Sequence, residues 1–546
     1  MIEQANKHRR PSQFAVGDLV WVKSKEFAPE ESISQKLLPA YRGPWQVLDV
    51  IGDVDGPSYV IEIPPHLRTY PVFHASKLLP CVTNELFQSR RSAIPPSMDG
   101  KYDVDKIVVE STYHTGRRGR PQRQYKETVS PVPNVVTLEG RSADDIQRWR
   151  ELGLRAIASG ELAVLLLAGG QGTRLGSSQP KGCYDIGLPS RKCLFHLQAE
   201  RISRVQKMAA NISGQGQTKI PWFIMTSEFT HTATVSYFQR HGYFGLDPSQ
   251  VLFFLQGKLP CLDENGKIIL EKPYKIARAP DGNGGLYTAL KTSGSLSEME
   301  RRGVRYVDGY CVDNALVRVA DPVYLGLSIE RGAVCASKVV RKAHPEERVG
   351  VFAQRGVGGP TVVVEYSELD KSLAHAVDPQ TGRLLFNWSN ICIHLYSLDF
   401  LKRVVTIFEE HAKYHVAKKA IPCVDGTVFG VKLERFIFDA FVYAPCLTLM
   451  EVEREEEFAA VKNPAGSPTE SPEIACRKLL KMHGKWVIAA GGRLEWGKQE
   501  NGDHKGSETG WGVELDPLLS HAGEDLEMIC KGKVFEHLSQ VNGRSG

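Results

Sequence analysis

The sequence predicts an α/β protein whose main domain is a doubly wound, mostly parallel sheet with a Rossmann-like arrangement. Residues 163–168 form a continuous apolar run that ends in glycines, which is typical of a strand buried on both faces. Short apolar segments of the same kind recur later, and helical patterns at residues 194–208 and 400–411 lie among them. Strand and helix patterns that alternate over roughly 300 residues favour a doubly wound sheet.

The individual elements of this domain follow from local patterns. Ser142 is expected to cap a helix that continues to Arg155. The apolar segments predict further strands at residues 222–225, 251–254, 304–312, 334–340 and 362–366. We assign residues 131–445 to this main domain and residues 446–546 to a small C-terminal region.

The first 130 residues have a different pattern. Residues 16–23, 45–51 and 58–63 alternate in polarity and are separated by Gly, Asp and Pro turns, so residues 1–80 predict a small SH3-like β-barrel. Residues 81–130 contain few apolar and many basic residues, and we interpret them as a linker. A plain solvated linker is the expected role, and contact with nucleic acid is the alternative.

Composition excludes several classes of protein. A net charge of +5 over 546 residues is too small to indicate nucleic-acid binding by the whole chain. The eleven cysteines form no CxxC pair and are expected to be free thiols. The N-terminus lacks the apolar segment of a signal peptide, and the strongest apolar run is too short to span a bilayer, so we expect a cytoplasmic protein without a membrane partner.

A glycine-rich loop follows the first strand of the main domain. Residues 169–176 contain four glycines, and Arg174 and Lys181 add positive charge to the same segment. Glycines allow backbone N–H groups to approach an anion, and phosphates bind at the carboxyl ends of parallel strands. The segment is not a Walker A motif because no Gly-Lys-Ser/Thr follows. It predicts a polyphosphate site of another kind, although glycine loops alone are often tight turns.

The segments LLLAGGQGTRLG, at residues 165–176, and PKGCYDIGLPSRK, at residues 180–192, resemble the eukaryotic UDP-N-acetylhexosamine pyrophosphorylases and their like-paralogues. The resemblance continues through residues 279–287, 310–314, 363–368 and 455–463 and covers residues 131–530. It looks greatest for the vertebrate-type enzymes. It implies a nucleotidyltransferase that makes a UDP-N-acetylhexosamine and pyrophosphate from UTP and an N-acetylhexosamine 1-phosphate.

The resemblance also implies roles for individual residues. Matching positions imply nucleotide contacts at Leu167, Ala168, Gly169, Gly170, Lys181, Gln256, Gly282, Asp313 and Lys432. They imply sugar-phosphate contacts at Asn283, Gly350, Glu365, Tyr366, Asn390 and Lys462. Arg174, Lys181 and Lys462 are implied to be catalytic through the phosphates, and Asp313 to hold Mg²⁺ as the cofactor.

Two segments depart from the family pattern. Trp388 and Ser389 replace two small residues beside the implied sugar site, and a large indole there is expected to fill sugar space or distort the loop. The loop at residues 422–430, which precedes Lys432, is shorter than the family form. These departures leave a second possibility open, a nucleotide-binding paralogue with impaired catalysis.

The N-terminal residues resemble a different family, the SH3-like C-terminal segment of gypsy-type retrotransposon integrases. Residues 17–22, 36–45 and 71–80 carry the resemblance, and residues 102–107 resemble the first strand of a truncated chromodomain. A fusion protein is implied. Weak, salt-dependent contact with nucleic acid would run through Lys23, Lys25, Lys36 and Arg42, which makes a nucleic-acid-binding fusion the third possibility.

Overall fold

A computed structural model describes residues 14–23, 41–51, 58–63, 70–80, 129–214, 218–356, 358–424, 426–495 and 512–542. The chain divides into two units, Met1–Gly116 and Arg117–Gly546. The predicted basic linker and the chromodomain-like segment fall almost entirely outside the described residues.

The N-terminal unit is a five-stranded antiparallel sheet with its own apolar core. Its strands are β1 (Leu19–Lys23), β2 (Tyr41–Ile51), β3 (Ser58–Ile61), β4 (Val72–His74) and β5 (Leu78–Pro80). They lie in the order β4-β3-β2-β1-β5. The inward residues of the alternating strands, such as Val20, Val22 and Ile61, are buried together. The sequence therefore predicted β1, β2 and β3, whereas β4 and β5 were not predicted as strands.

The second unit contains the remaining described strands. In chain order they are β6 (Val129–Pro131), β7 (Val135–Val136), β8 (Leu162–Leu167), β9 (Trp222–Thr226), β10 (Val251–Leu255), β11 (Lys258–Pro260), β12 (Leu262–Asp263), β13 (Leu270–Lys272), β14 (Lys275–Ile276), β15 (Arg278–Pro280), β16 (Tyr306–Cys311), β17 (Cys335–Arg341), β18 (Val351–Arg355), β19 (Thr361–Val364), β20 (Trp388–Ser397), β21 (His415–Cys423), β22 (Gly426–Glu434), β23 (Leu447–Glu451), β24 (Arg493–Glu495), β25 (Glu514–Leu515), β26 (Val534–Glu536) and β27 (Gln540–Val541).

The α-helices of this unit lie between and after these strands. They are α1 (Ala143–Ala158), α2 (Leu194–Ser213), α3 (His231–Arg240), α4 (Leu286–Thr292), α5 (Ser295–Arg301), α6 (Pro322–Glu330), α7 (Lys371–Ala374), α8 (Leu398–His411), α9 (Arg454–Glu457), α10 (Pro472–Ala489) and α11 (Glu527–Cys530). Within the described ranges, no helix is long and apolar enough to cross a membrane.

The central sheet is mostly parallel, as the sequence predicts. Its main path runs β10-β9-β8-β16-β20-β17-β23-β7, and β18, β19 and β6 extend it on a side branch. Along this path only β20 runs antiparallel to its neighbours, β16 and β17. Two large apolar cores, each drawing residues from alternate positions of β8, cover the sheet. The fully buried strand β8 confirms the interpretation of the apolar run at residues 163–168.

The predicted elements are confirmed, with different ends. Ser142 caps α1 by accepting a hydrogen bond from the Asp145 backbone, and the helix continues past Arg155 to Ala158. Strand β16 begins at Tyr306 rather than residue 304, because the backbone N–H of Val304 still bonds to the preceding helix at Met299. The sheet continues beyond residue 445 through β23, which pairs with β17.

A buried lysine joins the sheet to elements far apart in the sequence. Lys338 on β17 is fully buried, and its Nζ donates to Asp321 at 2.6 Å and to Glu457 at 2.5 Å. Asp321 also caps α6, and Glu457 ends α9. Burial alone would lower the pKa of Lys338, but the two carboxylates outweigh it and raise that pKa. The lysine is therefore charged, and removing it would leave Asp321 without its hydrogen-bonded lysine and Glu457 with only the Arg318 guanidinium, 3.5 Å away.

The Lys338→Met variant is expected to lose about 3–5 kcal/mol of unfolding free energy, because breaking one side of a buried ion pair leaves uncompensated charge. Lys402→Met, which removes a half-exposed partner of Glu300, is the matched control and should cost less than about 1 kcal/mol. Denaturant unfolding followed by circular dichroism measures both. Equal stability of the two variants would contradict the structural role of Lys338.

Candidate active site

A cavity of about 740 Å³ opens at the carboxyl ends of the parallel strands. Residues directly after β8, β9, β10 and β16 line it, and the opposite wall comes from β13–β15, β21 and β22. Nine of the residues that the resemblance implied line this cavity: Leu167, Gly169, Gly170, Lys181, Gln256, Gly282, Asn283, Asp313 and Lys432. The structure thus brings together residues that are almost 270 positions apart in the chain.

Two neighbouring loops hold the glycine loop in place. The Ser227 hydroxyl donates to the Gly169 carbonyl at 2.8 Å. A Cβ at Gly169 would lie 2.7 Å from the Gln256 side-chain oxygen, so only glycine allows the amide this close. Ser227 follows β9 as Gln256 follows β10, and the sequence analysis missed it. The available signal was its place in the chain: Ser227 is the second polar residue after the apolar run at residues 222–225.

Two hydrogen bonds and one close packing contact hold the loop at Gly282 and Asn283 in place. The Gln256 side-chain amide donates to the Gly282 carbonyl at 2.5 Å. The Asn283 side-chain oxygen accepts from the Ile437 backbone at 2.9 Å. Gly282 has φ +82°, and a Cβ there would lie 2.3 Å from the Arg435 carbonyl. Both its backbone conformation and its packing therefore require glycine.

A buried ion pair supports this second loop. Asp281 and Arg435 are almost fully buried and hydrogen-bond through their side chains and backbones. The Arg435 guanidinium also donates to the Thr288 hydroxyl at 3.1 Å. Because Arg435 directly follows β22, which carries Lys432, this pair sets the position of the loop relative to the opposite wall of the cavity. The sequence analysis did not identify either residue.

One carboxylate of the cavity lining, Asp313, interacts with two lysines. The Asp313 carboxylate is 3.7 Å from the Lys181 Nζ. Lys462 is the residue after Val461, whose backbone N–H donates to the Asp313 carbonyl at 2.9 Å. Burial alone would lower the pKa of Lys462, but Asp313 and Glu470 outweigh it and raise that pKa. Both lysines therefore place positive charge beside Asp313.

The residues implied for the sugar form a second group. The Asn390 backbone N–H donates to the Gly350 carbonyl at 2.8 Å, and a Cβ at Gly350 would lie 2.8 Å from a Glu365 side-chain oxygen. Burial and the neighbouring Glu368 raise the pKa of Glu365. Gly350, Glu365 and Asn390 therefore lie together, whereas Tyr366 is about half exposed. None of these four residues lines the 740 Å³ cavity itself.

Three other implied residues, Ala168, Arg174 and Lys462, also lie outside the cavity lining. Ala168 is buried in the core behind the glycine loop, so only its backbone is close to the cavity. Arg174 lies in the short helical turn Thr173–Leu175 and is exposed to solvent. The chemistry assigned to Arg174 therefore remains a prediction.

Trp388 is partly buried beside the implied sugar residues. Its indole packs against an apolar core, with the Arg341 guanidinium 5.5 Å from the ring centroid. Like those residues it does not line the 740 Å³ cavity, so its effect on sugar binding stays a prediction. The segment before Lys432 belongs to the paired strands β21 and β22, which are in register from His415↔Glu434 to Cys423↔Gly426. Its shortness relative to the family stays a prediction.

Among the described residues, no group of three or more His, Cys, Asp or Glu side chains is placed to hold a metal ion. Four carboxylates line the cavity, and Asp313 is the one that both follows a strand of the central sheet and lies beside Lys181. Mg²⁺ commonly binds to one or two carboxylates and completes its coordination with water and substrate phosphates. Asp313 beside a cavity large enough for a nucleotide fits that donor set.

A glycine loop, lysines and the Asp313 carboxylate around a cavity on a mostly parallel α/β sheet define a nucleotidyltransferase. The family model described as UTP--glucose-1-phosphate uridylyltransferase matches residues 123–500. Two Arabidopsis thaliana proteins, UDP-N-acetylglucosamine diphosphorylases 1 and 2, are each 54% identical; they align with 76% of this chain and with 81% and 82% of their own lengths. The chain belongs to the UDP-N-acetylglucosamine diphosphorylase family.

Other relatives and solved structures agree. The human UDP-N-acetylhexosamine pyrophosphorylase-like protein 1 is 46% identical over 74% of this chain and 82% of its own, so the expectation of greatest similarity to vertebrate enzymes is wrong. The Trypanosoma brucei uridine diphosphate N-acetylglucosamine pyrophosphorylase has a TM-score of 0.66 at 34% identity, covering 73% and 82% of the two chains. The corresponding Entamoeba histolytica structure has a TM-score of 0.68 at 32% identity, covering 76% and 100%. A separate model, the Tf2-1-like SH3 domain, matches residues 17–82.

We expect Gly285→Ala to disrupt the second loop, because the added Cβ would lie 1.9 Å from a side-chain oxygen of Asp281 and push it away from Arg435. The loss of unfolding free energy should be about 1–3 kcal/mol. Gly309→Ala on β16 is the matched control, since its Cβ would make only ordinary contacts, the closest at 3.5 Å. Thermal unfolding measures both variants, and a Gly285→Ala protein as stable as the control would refute the close packing.

Proposed function

We propose that this protein transfers the uridylyl group of UTP to N-acetylglucosamine 1-phosphate, giving UDP-N-acetylglucosamine and pyrophosphate. The observation that carries the proposal is the joint presence of the glycine loop, Gln256, Lys181 and Asp313 around one cavity. The relatives at 54% identity carry this activity in their names. The assay below also tests the alternative of a catalytically impaired paralogue, which would bind UTP without turnover.

We assign different residues of the site to the nucleotide and to the sugar. Leu167, Gly169 and Gly170 offer a backbone surface for the nucleotide, and Gln256 offers an amide near the base. Glu365 and Asn390 would bind hydroxyl and acetamido groups of the sugar. Hydrogen bonds to such groups discriminate strongly, because an incorrect sugar leaves buried polar atoms unpaired.

The chemistry is an in-line substitution at the α-phosphorus of UTP. An oxygen of the sugar phosphate attacks, the bond to the β-phosphate breaks, and pyrophosphate leaves. The reaction needs no protein nucleophile, so positioning and charge neutralisation provide the catalysis. Lys181, Lys432 and Lys462 supply fixed positive charge around the phosphates, and Arg174 would have to move inward to add its own.

Mg²⁺ is proposed to bind to Asp313 together with phosphate oxygens of the nucleotide. When bound, the ion would neutralise phosphate charge and hold the phosphates in one orientation. Lys181 and Lys462 flank the same carboxylate, so the protein itself orients Asp313 towards the cavity before any ligand arrives.

The N-terminal unit receives no separate function. Lys25 and Lys36 lie outside the described residues, as does the side chain of Arg42, and the similarities give no support for nucleic-acid contact beyond the SH3 domain match. A cytoplasmic location stays a prediction from the sequence, which cell fractionation with an antibody to the second unit would test.

The full chain is expected to release pyrophosphate from UTP and N-acetylglucosamine 1-phosphate, and Lys181→Met should lower kcat/KM at least about 100-fold because a fixed charge on the phosphates is lost. Lys291→Met, which removes a surface partner of Glu409, is the control and should stay within about 2-fold of the unsubstituted protein. A coupled pyrophosphate assay measures all three. A folded chain that binds UTP without releasing pyrophosphate would contradict the proposal.

Asp313→Asn is expected to raise the Mg²⁺ concentration needed for half-maximal activity by about 10-fold or more, because the neutral amide is a weaker ligand than the carboxylate. Asp247→Asn, at the cap of a surface turn, should leave this concentration unchanged. Activity titrations with Mg²⁺ after chelation supply the comparison. The same Mg²⁺ dependence in Asp313→Asn as in the control would assign the ion to another site.

A further inference from the structure

His415, the first residue of β21, has a carboxylate near each of its two ring nitrogens. Its Nε2 atom is 2.8 Å from the Asp439 carboxylate, and its Nδ1 atom is 4.0 Å from a Glu368 side-chain oxygen. The first distance is that of a hydrogen bond, and the second is that of an ion pair without one. Only the protonated imidazole carries an N–H on both nitrogens. The arrangement therefore suits an imidazolium between two carboxylates.

The two carboxylates belong to segments that serve different parts of the site. Asp439 lies in the segment after β22, where its carboxylate also accepts from the Phe436 backbone N–H at 3.3 Å. The imidazole of His415 stacks on the Phe436 ring, with the centroids 4.0 Å apart and an angle of 24° between the planes. Glu368 lies shortly after the implied sugar residue Glu365, and its backbone N–H donates to the Glu365 carbonyl at 2.9 Å. His415 thus joins these two segments.

The charged groups around this imidazole are mainly carboxylates. In the segments that adjoin His415 or pack against it, the charged side chains are Glu365, Glu368, Lys413, Glu434, Arg435 and Asp439. Arg435 is already paired with Asp281. Burial would lower the pKa of His415, but the carboxylates outweigh it and raise that pKa. The surroundings therefore favour the protonated form that the geometry requires.

The carboxylate of Glu365 needs this support because its own position disfavours a charge. Burial and Glu368 raise the pKa of Glu365, whereas His415 lowers it. The ionised carboxylate is the form that accepts hydrogen bonds from hydroxyl groups with both oxygens. One of these oxygens is packed so closely against Gly350 that an added Cβ there would lie 2.8 Å from it. A shift of the Glu365 segment would therefore also change its packing against Gly350.

We propose that His415 is a positioning residue for the sugar substrate, and that its imidazolium acts by tying the Glu368 turn to Asp439. This bridge holds the Glu365 carboxylate in place for the hydroxyl groups of an N-acetylhexosamine, so the role rests on the proposed function. A neutral imidazole has a single N–H, and it would bind to Asp439 alone and release the Glu368 turn. Sugar binding should therefore depend on the charge of His415.

The bridge gives sugar binding a pH dependence with a definite sign. Because the pKa of His415 is raised, the bridge is present below this pKa and is lost as the pH rises through it. The phosphates of both substrates are mostly ionised above neutral pH, since their second pKa is about 6. KM for N-acetylglucosamine 1-phosphate is therefore expected to increase between about pH 7 and about pH 9. KM for UTP should change less, because the loop at Gly282 also has the support of Arg435 and Asp281.

The test compares initial rates of pyrophosphate release by the full chain, His415→Gln and His411→Gln. Glutamine keeps a neutral donor near Asp439 but cannot carry the charge. His411, an exposed histidine beside Glu410 at the end of α8, is the matched control. In His415→Gln, KM for the sugar phosphate near neutral pH should be about 5-fold higher or more and independent of pH, with KM for UTP within about 2-fold. The control should keep the KM values and the pH dependence of the unsubstituted chain.

Two results would overturn the proposal. The first is a KM for the sugar phosphate that does not change with pH in the unsubstituted chain, and the second is the same KM in His415→Gln. If His415→Gln does not fold, Glu368→Gln takes its place, because it changes the more exposed end of the bridge.

If the chain has no transferase activity, the proposed function fails separately. Titration calorimetry with UDP-N-acetylglucosamine and with UDP then decides the role of His415. The preference of the unsubstituted chain for the sugar nucleotide should decrease as the pH rises, and it should be smaller in His415→Gln. An equal preference in the two chains at every pH would contradict the positioning role.

Discussion

The antiparallel direction of β20 is the constraint on which both halves of the site depend. Strands β8, β9, β10 and β16 are parallel, so the residues that follow them collect at one edge of the sheet. Strand β20 runs the opposite way and begins at that edge, which brings Asn390 beside the end of β16. Strand β18 pairs with the start of β20, so Gly350, directly before β18, arrives at the same place. A parallel β20 would leave the sugar residues at the far edge of the sheet.

The segment after β22 connects the loops that this sheet brings together. Arg435 pairs with Asp281, and the Ile437 backbone binds the side chain of Asn283. Two residues later Asp439 accepts from His415 at 2.8 Å. Burial would lower the pKa of His415, but Asp439 and nearby glutamates, including Glu365, outweigh it and raise that pKa. Residues 435–439 therefore contact the loop at Gly282 and Asn283 directly. Through His415 they also affect the charge near Glu365, so the loop and this carboxylate are not positioned independently.

Patterns in the sequence predicted the parts of this protein that local physics determines. The apolar run of β8 and the alternation in the N-terminal strands gave the elements, and the family resemblance gave the residues that line the cavity. Lys338 and Arg435 could not be predicted, because their partners lie far away in the chain and their burial exists only in the folded protein. The contact of Trp388 with Arg341 was unpredictable for the same reason, because Arg341 lies on another strand.

The charges around Asp313 suit the proposed reaction, which needs no protein nucleophile. Lys181 and Lys462 flank Asp313, and Glu470 holds the Lys462 Nζ at 2.8 Å. These ion pairs hold the lysines in place, so in the proposed reaction the phosphates would meet charges that need little reorganisation. An anionic nucleotide would compete with the carboxylates for the same lysines. A cation on Asp313 would offset that competition, because it converts the carboxylate from a rival of the phosphates into their attachment point. Asp313 and the lysines around it therefore act together.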